Sequence, residues 1–266
     1  MFGRNNKNEL SSSLAGYLRR FEEKGKKCDR FYYLRDLYFS IISLWEVSIK
    51  VNIGKLQINR PIERLKFYNI IESRQSRKPI MAILFRFHPK KAVEAAAMFL
   101  KLHGKPMKYL GLLKMLYIAD RTALERIEQT ITGDCYFSMD YGPVLSGVYD
   151  LIKGKPVNGA LPLWKKFVSV RDINHNVYLL SDPSTDHLCE EEEEIIQEVY
   201  QTFGHLNPFD VAEWTHDLPE WKDPDGSRIP IVVDDVLRFM GKSADEIAVI
   251  RQEAAREAYL DEVLSA

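Results

Sequence analysis

The chain has 266 residues, 45% hydrophobic and 28% charged, which fits one large globular domain or two small ones. No apolar run approaches the roughly 20 residues that span a bilayer, which excludes a membrane-spanning helix. The three cysteines Cys28, Cys135 and Cys189 are odd in number and far apart, which excludes a disulfide framework and a Cys-x-x-Cys site. The opening Met-Phe-Gly-Arg-Asn-Asn-Lys has no apolar core of a signal peptide, so the expected location is the cytoplasm, with no membrane contact.

The net charge of −1 conceals an asymmetry. Residues 1–80 hold 17 Lys+Arg against 8 Asp+Glu, or +9, and residues 81–266 hold 20 against 30, or −10. A basic head on an acidic body suggests two pieces of different origin. The head could contact nucleic acid or pack on the body electrostatically, or the charges could be ordinary surface. Lys24–Lys27 and Arg74–Lys78 could touch phosphates, but no helix–turn–helix or stacking-aromatic pattern accompanies them, so nucleic-acid binding is not supported.

Within the head, Lys7–Asp29 is polar and weakly periodic. Phe31–Lys66 holds the apolar material, too short for an independent core without staples. Leu44 and Val47, with Trp45 and Ile49, outline a short helix in Ile41–Lys50 that Gly54 closes. Arg74–Pro79 reads as a basic linker, and residues 1–80 as a partly ordered extension.

From Met81 the pattern changes. Pro89 suits a helix's first turn, and the spacing of Val93, Ala96, Ala97 and Leu100 predicts a helix to His103, stopped by Gly104. Tyr109–Arg126 carries Leu112, Leu113, Leu116 and Tyr117 at helical spacing. Asp134–Tyr141 alternates, with Cys135, Phe137 and Met139 on one side, which predicts a strand. Gly142-Pro143 is expected to turn that strand directly into a helix with Val144, Val148, Leu151 and Ile152 inward and Gly154 as its stop. Phe167–Arg171 and Val177–Ser181 flank Asp172–Asn176 as a hairpin. Leu188–Phe203 is a helix with Ile195, Ile196, Val199 and Phe203 at core positions. Asn207 and Pro208 open the next helix. Ile231–Met240 and Ala244–Leu264 complete the series, the last opened by a Ser243/Glu246 capping box. The fold class is mainly α with a small antiparallel β-sheet (α+β), and no alternating strand–helix series points to a nucleotide-binding sheet.

Four segments in order resemble a known family. These are Lys108-Tyr-Leu-Gly-Leu-Leu-Lys-Met-Leu-Tyr-Ile-Ala-Asp120, then Ile131-Thr132-Gly133-Asp134 with Met139-Asp-Tyr-Gly-Pro-Val144 and Ser146. The run continues through Tyr149-Asp150-Leu151-Ile152 and ends on Thr215-His216 with Trp221-Lys222. Together they resemble the Panacea domain of SocA-like antitoxins over about residues 81–266, and Met81-Ala-Ile-Leu-Phe-Arg-Phe is similar to the way such domains begin. The resemblance implies Lys114, Tyr117, Asp120, Thr132, Gly133, Asp134, Tyr141, Gly142, Pro143, Ser146, Tyr149, Thr215, His216 and Trp221 as signature or partner-binding residues. It implies a non-enzymatic antitoxin that binds a cognate protein toxin encoded by an adjacent gene, with an ATP-dependent protease as partner in the adaptor type. No cofactor and no metal are expected.

In the head, Ser43-Leu-Trp-Glu-Val-Ser-Ile-Lys50 with Gly54-Lys55-Leu56 resembles the second helix of PIN-domain toxins, whose glutamate helps hold catalytic Mg²⁺ or Mn²⁺. Here Glu46 stands without the flanking Asp-bearing strands, so residues 31–66 read as a PIN remnant. A metal-dependent PIN-type ribonuclease and a non-enzymatic phage or mobile-element scaffold are the alternatives to the antitoxin.

Two readings attach to several residues. Gly133-Asp134 and Asp140-Tyr141-Gly142-Pro143 suit turn chemistry, while an aromatic on a rigid turn, Tyr141, suits an interface anchor. His216 at a helix end suits a cation near the carbonyl dipole, hydrogen-bonded to Asp217. Trp214 and Trp221 are core residues, or toxin-contact hot spots if exposed. Glu190–Glu194 is a solvated first turn, or a patch that captures a basic toxin. No Gly-x-Ser-x-Gly elbow, His-Glu-x-x-His pair or phosphate-cradling loop occurs.

Overall fold

The computed structural model describes residues 82–264, so the basic head, its PIN-like segment and Glu46 lie outside the described residues. Eight helices and five short strands follow in the order α1 (Pro89–His103), β1 (Met107–Lys108), α2 (Tyr109–Ile127), β2 (Tyr136–Met139), β3 (Gly142–Leu145), α3 (Ser146–Ile152), α4 (Leu161–Phe167), β4 (Asn176–Val177), α5 (Glu190–Phe203), α6 (Pro208–His216), β5 (Ile229–Ile231), α7 (Val233–Phe239) and α8 (Ala244–Leu264). The class is the expected one, helical with a small antiparallel sheet. Among the described residues no helix is long and apolar enough to cross a membrane.

Helix α2 is the axis of the domain. Residues Gly111–Asp120 are all buried, because α5, α6, α1 and the β-hairpin surround the helix. A helix buried on every side has no solvent face for its polar residues, so Lys114 and Asp120 must find partners inside. Apolar residues of α1, α5 and α7 complete one continuous core, which Ile83 joins from the segment before α1. Asp234 in α7 accepts a hydrogen bond from the Ile83 amide at 2.8 Å, fixing that entering segment.

Local signals mark most helix ends correctly. Pro89 opens α1, and Gly104 closes it in the left-handed region with its N–H on the Leu100 carbonyl. The Asn207 side chain caps α6 by accepting from the Phe209 amide at 2.9 Å. Ser243 and Glu246 form the reciprocal capping box ahead of α8.

Three expectations need correction. First, Gly142-Pro143 does not begin a helix. Gly142–Leu145 is a strand, β3, paired antiparallel to β2 with Met139 opposite Gly142, so Asp140-Tyr141 form a two-residue hairpin loop. Pro at a helix start and Pro on an outer strand look alike locally. The sheet order β3-β2-β5 puts β3 at the edge, where a missing N–H is tolerated. Ser146 is accordingly the first residue of α3 rather than an interior one.

Second, the inward side of β2 is Tyr136 and Ser138, both buried, not the side of Cys135, Phe137 and Met139. Tyr136 packs edge-on against Tyr117 with ring centres 5.2 Å apart, and Ser138 Oγ accepts from the Lys222 amide. Third, the Glu190–Glu194 run is not simply solvated. Glu192 is buried, pairs with Lys91 at 2.7 Å and accepts from the Cys189 amide at 2.9 Å, capping α5.

The expected hairpin around Asp172–Asn176 forms as a tight loop with a single bridge between Val168 and Leu179, while Asn176–Val177 pair with Met107–Lys108. Helix α4 and strand β5 were not anticipated. Both are short enough that their packing, not their periodicity, sets them.

Candidate functional site

Lys114, Tyr117 and Asp120 recur at intervals of three along α2, so they share one helix face. That face meets the β2–β3 hairpin and the chain after α6, which carry the other signature residues. Each polar group on it is answered from those segments.

At the hairpin end, the Lys114 ammonium is fully buried and donates to the Pro143 carbonyl at 2.7 Å. Burial away from water lowers its pKa to about 7. Gly142 sits directly over it with φ +86°. A Cβ there would come within 2.3 Å of Thr215 Oγ1 and 3.0 Å of Lys114 Nζ, so the position requires glycine twice over. Thr215 is buried and donates to the Ala212 carbonyl at 2.7 Å.

His216 ends α6 and stacks on Trp221 with ring centres 4.1 Å apart and planes 17° from parallel. Its Nε2 is buried and has no hydrogen-bond partner among the described residues. Burial, then the charge of Lys114, lowers the imidazole pKa. The expected helix-end cation is therefore corrected: desolvation outweighs the carbonyl dipole. Trp221 is half-buried and donates its Nε1 proton to the Met139 carbonyl at 3.1 Å, holding the hairpin from its other side. Trp214 is half-buried against Phe203, ring centres 4.8 Å apart.

In the middle, the Tyr117 hydroxyl donates to Glu220 Oε1 at 2.9 Å, and Arg121 Nε donates to the same oxygen at 2.6 Å. Glu220 is buried and was not anticipated. Its place immediately before Trp221 was the available signal.

At the far end, Asp120 is fully buried and accepts from the Thr132 amide at 2.9 Å and the Thr132 hydroxyl at 2.5 Å. Desolvation raises its pKa to about 7, partly offset by these bonds. Gly133 has φ +66°, and a Cβ there would lie 1.8 Å from the Arg86 carbonyl oxygen. Asp134 accepts from the amides of Gly147 at 2.9 Å and Val148 at 2.8 Å, so it caps α3 from a distant part of the chain.

The signature residues thus divide by position. Lys114, Tyr117, Asp120, Thr132, Gly133, Asp134, Gly142, Pro143 and Thr215 are buried in the bracing, and Ser146, Tyr149, His216 and Trp221 are half-buried at its edge. Tyr141 is the exception at 60% exposed. It projects from the hairpin loop and meets Phe209, 62% exposed, edge to face at 6.1 Å. Phe209 was missed because it follows the α6 cap outside the core stripe. Among the described residues no group of three or more His, Cys, Asp or Glu side chains is placed to hold a metal ion.

The domain thus uses nearly all its distinctive polar residues to brace one hairpin, and leaves Tyr141 at the hairpin's tip exposed. Residues 112–222 match the family described as Antitoxin SocA-like, Panacea domain. The match does not extend to residues 31–66. No curated protein and no solved structure matches the chain.

Proposed function

We propose that this protein is a cytoplasmic, non-enzymatic antitoxin whose residues 81–266 neutralise a cognate protein toxin, encoded by an adjacent gene, through direct contact. The Panacea domain implies a toxin partner in general. The particular support is the Tyr141–Phe209 pair, two large aromatics left in solvent, one on the hairpin that Lys114, Gly142 and Trp221 hold and the other on the first turn of α6. Aromatic side chains on a fixed backbone lose little entropy on binding and are the usual interface anchors.

Growth rescue tests the proposal. The adjacent gene is induced alone, with the full chain, and with the Tyr141→Ala/Phe209→Ala variant. Rescue by the native chain and loss of rescue by the variant are expected, and a toxic neighbour that the native chain does not rescue would refute the pairing. Repeating the assay in a host lacking its ATP-dependent proteases separates direct inhibition, which persists, from delivery to a protease, which does not.

A further inference from the structure

Beside Tyr141 lies a second group of exposed and half-buried rings that the bracing does not use. Tyr109, the first residue of α2, stacks with Tyr149 of α3, ring centres 6.3 Å apart and planes 27° from parallel. The Arg171 guanidinium lies 5.3 Å over the Tyr109 ring, and the Lys153 ammonium 4.3 Å over the Tyr149 ring. His175 meets Tyr109 edge-on at 5.8 Å. The Tyr109 amide donates to the His175 carbonyl and the Arg171 amide to the Ile152 carbonyl, each at 2.9 Å, so the platform is stitched together through the backbone.

Three cations line this face. Lys108 donates to the Asn174 carbonyl, Lys153 to the Tyr149 hydroxyl, and Arg171 faces the His175 ring. Among the described residues none of the three forms an ion pair with a carboxylate, whereas Lys91, Lys101, Arg121, Arg126, Lys242 and Arg251 all do. This aromatic face of a body of net charge −10 therefore carries positive charge that no carboxylate among the described residues pairs with. Ile173, 93% exposed at the tip of the neighbouring loop, adds an apolar edge.

We infer that this Tyr109–Tyr149 face, with Lys153 and Arg171, receives an acidic segment of the partner protein, carboxylates on the cations and an apolar or aromatic side chain against the rings. The inference rests on the antitoxin proposal and adds the chemistry of the toxin surface that is bound. Carboxylates gain from cations whose present partners are all neutral, and rings already bearing a cation form a mixed apolar and charged site. The chain's own head is disfavoured as the occupant, because residues 1–80 carry +9 and would meet like charge. A nucleic acid is disfavoured because three free cations fall short of the roughly 6–10 phosphate contacts of a typical complex, and the acidic body repels a polyanion.

The test uses the purified full chain and a fluorescently labelled peptide of alternating Glu and Phe, read by anisotropy. A peptide with Lys in place of Glu and a labelled single-stranded thymidine oligonucleotide are run beside it. Expected are binding of the Glu peptide only, weakening at high salt, and a loss of about tenfold or more in affinity for Lys153→Glu/Arg171→Glu with an unchanged melting temperature. A Tyr149→Ala variant is expected to weaken the peptide without altering its salt dependence. No binding of the Glu peptide, equal binding of the Lys peptide, full affinity in the charge-reversed variant, or oligonucleotide binding that the same variant abolishes would each overturn the inference. Growth rescue is scored separately: a chain that rescues but does not bind the peptide loses this inference and keeps its antitoxin role.

Discussion

The Lys114 ammonium lies 2.7 Å from the Pro143 carbonyl oxygen, joining the central helix α2 to the β2–β3 hairpin in the interior of the domain. An ammonium has three protons to donate, and this one is fully buried with a single acceptor among the described residues.

Lys114 and Asp120 give opposite pH dependences. Burial lowers the Lys114 pKa to about 7, so from there up to the ordinary lysine range the unfolded state binds more protons and stability rises with pH. Burial raises the Asp120 pKa to about 7, so from the ordinary aspartate range up to there the folded state binds more protons and stability falls as pH rises. The two contributions together are least favourable near neutrality. Urea denaturation across pH should show Lys114→Met flattening the rise on the alkaline side and Asp120→Asn flattening the fall on the acid side. Parallel profiles for a variant and the native chain would contradict the assignment.

Glu220 accepts from both Tyr117 and Arg121 on Oε1, and from Arg121 again on Oε2. Glu220→Ala leaves the Arg121 charge, largely buried, without its carboxylate and is expected to cost about 3 kcal/mol. Tyr117→Phe removes one hydroxyl bond, a loss of about 1–2 kcal/mol. Because the two residues are donor and acceptor of one hydrogen bond, the double variant should be less destabilised than the sum, which a denaturation cycle measures.

Gly142→Ala is expected to destabilise by about 2–4 kcal/mol through left-handed strain and the clash with Thr215 Oγ1. Removing the obstructing hydroxyl in Gly142→Ala/Thr215→Ala should recover part of that loss. Thermal unfolding of the three variants decides it, since strain alone would leave the double variant no better than the single.

Tyr141→Ala and Phe209→Ala remove exposed rings and should change stability by about 0.5 kcal/mol or less. Trp221→Ala, by contrast, removes the stack on His216 and the bond to Met139, and should lower the melting temperature clearly. A melting temperature that falls equally for all three would mean that the hairpin aromatics belong to the fold rather than to an interface.

The recognisable segments of this sequence are the ones whose polar residues are buried. Lys114, Tyr117 and Asp120 stand out because charged and hydroxyl groups interrupt an apolar helix, and a helix so enclosed admits them only with fixed partners. Tyr141 was legible as an aromatic presented on a turn because it stands between Asp140 and Gly142. Phe209 and the pairing of Tyr109 with Tyr149 were not legible, and Glu220 was marked only by its place before Trp221. Each gains its meaning from a residue dozens of positions away.

By itself the sequence determined the helices with strong periodicity and marked ends, α1, α2, α5, α6 and α8, since caps, prolines and glycines act within a turn of where they stand. It also determined the family signature and its order along the chain. Only the tertiary structure decided that Gly142-Pro143 is an edge strand, that Tyr136 and Ser138 face inward, and that His216 sits beside a buried lysine rather than in solvent. Those outcomes depend on which surfaces meet across the fold, where burial and partner supply outweigh local propensity by more than any single residue's preference can resist.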